Sequence, residues 1–412
     1  MMSRKLSNPV KMSYCILAAL WMLVGIASAA TTTQIYSFVG GNDGEYLDTE
    51  LVMGSAGNLY GTTVQGGIHG SGTVFQLAPS GSGWTHTVLY SFTGGADGGE
   101  PYKGVTLDAQ GNLYGTAVTG GGGACEGGCG VVYKLTNSAG VWTQSVIHAF
   151  TGGNDGSGPG SPVAFDKHGN LYGTTPTGGA KGFGVVYEMK PGPNGSWNLS
   201  VIHTFTGGTD GLGGSASRLL LDAVGNVYGV NTVGGENGFG NVYELTHSGG
   251  KWQLTTLYSF KDQPDGASPY GGVIFDKSGN LYGTTYYAGA NDVGTVYKLT
   301  HSNGAWSESV LYSFKGGSDG DSPISTLVSD AKGNLYGTTS DGGAATCGCG
   351  TIFRMTEGSV GVWTESVVYR FPGTPKPGFA YNGMVSDGKG NFYGTTVHGG
   401  SANDGAVYQL TP

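Results

Sequence analysis

The 412-residue chain carries 19 Lys and Arg against 28 Asp and Glu, a net charge of −9, and lacks the clustered basic surface that nucleic acid or an anionic membrane requires. Glycine supplies 82 residues and proline 15, close to the proportion at which low complexity is suspected. Glycine does not fall at every third position, however, and aromatic and β-branched residues recur at fixed offsets, which excludes collagen-like and disordered chains and leaves a globular one.

The first thirty residues form a separate unit. Arg4, Lys5 and Lys11 make a basic start, Cys15 to Ile26 is an apolar run too short to span a bilayer comfortably, and Ala27-Ser28-Ala29 has the small-x-small pattern of a signal-peptidase site. Residues 1–30 are therefore expected to be a signal peptide that is removed, and residues 31–412 the mature protein, secreted, periplasmic or at the cell surface. A retained amphipathic anchor is the alternative. Cleavage removes three cations and Cys15, leaving 16 Lys and Arg against 28 acids, a net −12, and four cysteines. Cys125, Cys129, Cys347 and Cys349 stand in two local pairs, which in an exported chain predicts two small disulfides. A four-cysteine zinc site would need pairs four repeats apart to meet, so no metal and no cofactor is expected.

From residue 57 onward one unit governs the chain. Gly57-Asn58-Leu59-Tyr60-Gly61-Thr62-Thr63 returns six times, its Asn falling at 58, 112, 170, 226, 280, 334 and 391. Seven copies at one period of 54 to 58 residues mean a repeat architecture. In the unit 104–150, Val105–Asp108 is a short apolar run, and Ala109-Gln110-Gly111-Asn112 is turn chemistry. Leu113–Thr116 is a second strand, followed by a Gly-rich loop over 118–129. Gly130–Leu135 is a third strand, Asn137–Gly140 a polar turn, and Trp142–Phe150 a fourth strand. No helical periodicity is present. Four short antiparallel strands repeated seven times predict an all-β fold, a seven-bladed β-propeller.

Six repeats carry a Trp eight residues before the Phe that ends the fourth strand: Trp84, Trp142, Trp197, Trp252, Trp306 and Trp363. The seventh repeat stops after its third strand, 406–410, and the strand it lacks stands at the other end as Thr32–Phe38. The two are expected to pair, with Ile35 near Val407, closing the ring and removing its exposed edges. The Trp position of that strand falls at Ala30.

The unit Gly-Asn-Leu-Tyr-Gly-Thr-Thr, then Gly-Gly, Gly-Thr-Val-Tyr-Lys-Leu, Leu-Tyr-Ser-Phe and Gly-Gly-x-Asp-Gly, resembles the bacterial Gloeo/Verruco (GloVer) repeat of choice-of-anchor tandem-repeat proteins, over essentially 31–412. The resemblance implies a bacterial exported or surface protein and carries no catalytic residues. Members usually end in an anchor. A chain ending at Pro412 is expected to be released or to stay in the periplasm.

Loops after the second and fourth strands should share one face, and their length and glycine content make it the candidate binding face. The Gly-Gly-x-Asp-Gly carboxylates (Asp43, Asp97, Asp155, Asp210, Asp265, Asp319) come one per blade, so they are read as turn caps rather than calcium ligands. A second series (Asp108, Asp166, Asp222, Asp276, Asp330, Asp387) ends the first strand and is read alike. Where the repeat varies near the expected channel mouth, Tyr102, Tyr270 and Tyr381 with Glu50, Arg218 and Lys103 would form an aromatic and polar rim suited to stacking and hydrogen bonding a sugar. Ordinary drift of solvated loops is the competing reading. His69 and His398, in second-strand loops of blades that closure makes neighbours, are the one asymmetric pair near Glu50 that could serve chemistry. Because the repeats are nearly identical and catalysis needs asymmetry, the expectation is a non-catalytic, monomeric exported scaffold that binds carbohydrate or a surface polymer or protein. A polysaccharide- or lactone-active enzyme using the same face is the alternative.

Overall fold

The computed structural model describes residues 30–213, 217–343 and 347–412, so the expected signal peptide lies outside the described residues except for Ala30. Seven small sheets stand around one axis, each blade built from four antiparallel strands. In blade 2 these are Lys103–Leu107, Leu113–Ala117, Val131–Ser138 and Val141–Ala149, counted outward from the axis. The innermost strand is short, two residues in most blades. The second is buried along its whole length, and the fourth alternates exposed and half-buried positions. Period-two alternation on the outer strand, and none on the inner ones, is what a blade flanked by neighbours on both faces should show.

The ring is closed by the N-terminal strand. Thr31–Ser37 pairs antiparallel with Ala406–Thr411, from Thr31 opposite Thr411 to Ser37 opposite Ala406, and the Phe38 amide donates to the Gly405 carbonyl at 3.0 Å. Val407 lies opposite Tyr36 rather than Ile35, because Ile35 is a bulge. The same bulge recurs in every blade, at Leu89, Ile147, Ile202, Leu257, Leu311 and Val368. It bends the outer strand and re-aims the side chain after it.

Two aromatic belts join the blades. In the first, the Phe ending each fourth strand meets the third-strand Tyr or Phe of the next blade edge-on. The pairs run from Phe92–Tyr133 at 4.9 Å to Phe371–Tyr408 at 5.3 Å, and Phe38–Phe75 at 5.1 Å completes the circuit. All these Phe rings are buried, and such pairs contribute about 0.5–1.5 kcal/mol beyond their area. That third-strand ring lies flat over the strand beside it, so the Gly of Gly-Thr-Thr has no room for a side chain. A Cβ on Gly61 would stand 2.7 Å from the Phe75 ring. In the second belt the fourth-strand Trp meets the second-strand Tyr of the preceding blade: Tyr60–Trp142, Tyr114–Trp197, Tyr172–Trp252, Tyr282–Trp363 and Trp84–Tyr393, 5.7–6.3 Å apart. Second-strand threonines stitch the blades across the top, Thr116 Oγ1 to the Ser161 carbonyl at 3.0 Å and Thr395 Oγ1 to the Thr49 carbonyl at 2.8 Å, the latter across the closure.

Candidate functional site

Loops after the second and fourth strands do share a face. Backbone bridges join the fourth-strand loop of one blade to the second-strand loop of the next, Glu45 to Gln65, Gly99 to Thr119, Ser157 to Thr177, Ala267 to Tyr287 and Gly378 to His398. The Gly-Gly-x-Asp-Gly carboxylates hold this framework. Asp97 Oδ2 accepts from the Thr93 amide at 2.9 Å, closing its own turn, and also from the Tyr90 hydroxyl at 2.8 Å. Tyr36–Asp43 (2.7 Å), Tyr258–Asp265 and Tyr312–Asp319 (3.0 Å) repeat the pair, with His148–Asp155 (3.2 Å) and His203–Asp210 (3.1 Å) replacing phenol by imidazole. Burial would raise Asp97, but the bonds from Thr93 and Tyr90 outweigh it and hold its carboxyl below the usual range, while burial and Asp97 push Tyr90 up to about 12. On the other face, Asp108 Oδ1 accepts the Gln110 and Asn112 amides at 2.9 and 2.8 Å, and five sister aspartates do likewise. Both series are structural. No group of three or more His, Cys, Asp or Glu that could hold a metal occurs among the described residues. The cysteines form Cys125–Cys129 and Cys347–Cys349 in the second-strand loops of blades 2 and 6.

The asymmetric chemistry gathers at the axis. Glu50, Lys103, Tyr270 and Tyr381 surround one central depression, as their places in the repeat suggested. Lys103 Nζ donates to Asp48 Oδ1 at 2.5 Å and to Asn382 Oδ1 at 3.2 Å, and Asn382 Nδ2 donates to Asp48 Oδ1 at 3.0 Å. These three residues come from blades 1, 2 and 7, so the network spans the closure. Arg218 reaches across from blade 4. Its Nε stands 3.6 Å from Glu50 Oε2, its Nη1 donates to the Val163 carbonyl at 3.0 Å, and it bonds the Thr106 hydroxyl. The arginine thus ties the axis together more than it faces solvent. The depression above this network has a volume of about 40 Å³, room for a few waters. A ligand larger than that must sit on the rim.

The rim carries rings. Tyr270 (42% exposed) packs edge-on against Tyr286 at 5.1 Å, and Tyr286 against Tyr287 (52% exposed) at 4.4 Å, an exposed aromatic shelf where blades 4 and 5 meet. Tyr381 stands on the far side of the mouth, where burial and neighbouring acids, Asp341 first, raise its hydroxyl. Tyr102 does not line the depression. It is half-buried beside Glu100, Tyr46 and Asp48, and burial followed by those charges raises it too. His69 is exposed in the blade 1 loop and has no bond or ring contact with His398, which packs on Phe379 and Tyr46 at 5.7 and 6.2 Å. Reading the sequence missed Asn382, Ser217 and Tyr286. The position nine residues before each marker Asn was the available signal, since it reads Thr, Lys, Ser, Ser, Gly, Ser and Asn around the ring.

The Gloeobacter/Verrucomicrobia repeat matches the chain over residues 122–349 and 216–412. No curated protein matches it in sequence. Among solved structures it is similar to a protein from Lactobacillus plantarum, with TM-score 0.52 and 14% identity over 82% of this chain and 87% of that one. A candidate 6-phosphogluconolactonase from Bacteroides uniformis matches with TM-score 0.50 and 13% identity, over 78% and 83%. At such identities the likeness is one of fold.

Proposed function

The chain belongs to the Gloeobacter/Verrucomicrobia repeat family, and from that premise we propose that it is an exported, non-catalytic propeller whose loop face recognises carbohydrate or another cell-surface polymer. The observation that carries the reading is the Tyr270–Tyr286–Tyr287 shelf beside a polar axis mouth. Exposed rings supply apolar faces for stacking, and Glu50, Lys103 and Asn382 next to them supply donors and acceptors for hydroxyls. Stacking tolerates different sugars, which suits a scaffold for a repetitive polymer. The acids at the mouth, Asp48 and Glu50, are tied to Lys103 and Arg218, an arrangement that favours recognition over the polysaccharide- or lactone-acting alternative, which needs an acid and a base free to exchange protons. Two disulfides, and the absence of any helix long and apolar enough to cross a membrane among the described residues, are compatible with an extracellular address.

The test is a glycan array followed by titration calorimetry on any hit. Tyr270→Ala with Tyr287→Ala should weaken binding roughly tenfold or more while leaving the melting temperature within about a degree, because both rings are exposed. A flat array at high protein concentration, or binding that survives the double substitution, removes the proposal.

A further inference from the structure

One loop bridge on the mouth face breaks the repeat by charge. The bridges of the other blades hold at most one carboxylate each, as Glu45 with Gln65 does. In blade 6 the bridge has grown into a short strand, Asp321–Pro323, which pairs antiparallel with Leu335–Asp341 and sets Asp321 directly opposite Asp341. Like charges facing each other across a ladder weaken it. Ser322 Oγ donates to Asp321 Oδ1 and Ser340 Oγ to Asp341 Oδ2, both at 2.7 Å, and neither carboxylate takes part in an ion pair among the described residues. The cations of the mouth are engaged elsewhere, Lys103 by Asp48 and Arg218 by Glu50.

This acidic pair adjoins the aromatic shelf. Asp321–Pro323 packs on the second strand of blade 5, Leu281–Thr285, which runs directly into Tyr286 and Tyr287. The Ser322 amide donates to the Val293 carbonyl at 3.0 Å. Gly294 is held so closely between Pro323 and Tyr286 that a Cβ on it would lie 2.6 Å from the proline ring and 2.9 Å from the Tyr286 carbonyl. The charges reach the rings as well. Desolvation, then the Tyr286 and Tyr270 hydroxyls, then Asp341 and Asp321 raise the Tyr287 hydroxyl, and at Tyr381 Asp341 ranks next after burial. Asp341, itself exposed, is thus within electrostatic reach of rings on both sides of the mouth. Two acids without a counter-ion stand beside exposed rings, in the one blade whose loop bridge opposes like charges.

We propose that the rim at blades 5 and 6 binds a polysaccharide of amino sugars whose amino groups are free and protonated. The inference rests on the carbohydrate reading of this rim and narrows it. The apolar face of a pyranose stacks on Tyr270 and Tyr287, and the ammonium meets Asp341 and Asp321, relieving the repulsion between them. Ring faces also attract a cation through their quadrupole, so the shelf and the acids favour the same charge. A neutral sugar gains the stacking alone, and an acidic one is repelled. A lysine side chain on a protein supplies the charge without the flat apolar face that the shelf fits.

Titration calorimetry of the full chain with a short N-acetylglucosamine oligomer, and with the same oligomer freed of its acetyl groups, tests this in mildly acidic buffer at low salt, where the amines are protonated and the aspartates ionised. The deacetylated oligomer should bind about tenfold or more tightly, the gain of a charge-assisted contact. Asp321→Asn with Asp341→Asn should bring the two oligomers within about twofold of each other. Should the double variant fold poorly, Asp341→Asn alone, on an exposed side chain, should still lower the preference about threefold. The protein is acidic throughout, so Glu126→Gln with Glu236→Gln, which removes two exposed charges from other loops of the same face, should keep the preference. Equal affinity for the two oligomers, a preference that survives the aspartate substitutions, or one lost equally in the glutamate control overturns this assignment and leaves the carbohydrate reading standing. Binding of neither oligomer nor any other glycan removes both.

Discussion

Glu308 and Glu365 lower this protein's stability as pH rises from about 4.5 through 7, and replacing both with Gln should remove that contribution. Each stands two residues after its Trp, on the outer strands of blades 5 and 6, and faces the turn carboxylate of the loop before it, Asp265 and Asp319. Burial, then the neighbouring Asp, raise each Glu to about 7, against the partial relief of Lys261 at the first and of Lys315 and Arg370 at the second. In each, Oε1 is buried with no hydrogen-bond partner. Unfolded, both would titrate near the ordinary Glu value of about 4.3. Between these limits the folded chain binds more protons at these two groups than the unfolded one, so their contribution to stability is largest below about pH 4.5 and is lost as pH rises through 7. The full displacement is worth roughly 3.5 kcal/mol per group. Both side chains are only half-buried, so solvent screening reduces this to about 1–1.5 kcal/mol each. Glu308→Gln with Glu365→Gln should therefore add about 2–3 kcal/mol at pH 8 and close to nothing at pH 4.5. Urea unfolding followed by tryptophan fluorescence at both pH values measures it, and the variant-minus-wild-type difference cancels every other titrating group. A difference independent of pH, or larger in acid, would refute the reasoning.

Other consequences are as direct. Tyr133, Tyr187, Tyr243, Tyr297 and Tyr408 bury hydroxyls that have no hydrogen-bond partner, while blades 1 and 6 have Phe75 and Phe353 at that position. Tyr187→Phe should accordingly leave stability unchanged or raise it by about 1 kcal/mol in urea melts. Gly173→Ala, which drives a methyl into the Tyr187 ring, should cost roughly 3 kcal/mol or more by the same assay. If the closing strand holds the ring as firmly as any internal contact, Phe38→Ala and Phe205→Ala should each cost about 3–5 kcal/mol, and a much smaller loss for Phe38 would mean a loosely latched ring. Asp97→Ala should free Tyr90 to titrate nearer its ordinary value of about 10, visible in an ultraviolet pH titration as one additional tyrosine ionising early.

Blade number, strand order, ring closure and the tryptophan gap at Ala30 were legible in the sequence because each follows from one repeat compared with itself. A blade is built from residues within about sixty positions, and its turns carry their own signatures, as Asp108 and Asn112 do when they bond each other across one turn. The bulge was less legible. Ile147 followed by His148 reads as unbroken alternation, and only the pairing of His148 with Val132 reveals that Ile147 is extra. What the bulge re-aims, the Tyr or His that seizes the turn Asp, was hidden for the same reason.

The axis was harder still, for a geometric reason. Repeat positions say which residues point inward, and they placed Glu50, Lys103, Tyr270 and Tyr381 at the mouth. They do not say which inward residues meet across a ring. Arg218 reaches Thr106, 112 residues earlier, and Asn382 reaches Asp48, 334 residues earlier, through distances set by blade width and by the closure itself. Glu308 and Glu365 obey the same logic, since the Asp each faces belongs to the preceding repeat. A seven-fold sequence thus encodes its scaffold locally and its chemistry laterally. The residues worth mutating are those that break the repeat and lie side by side only once the circle is closed.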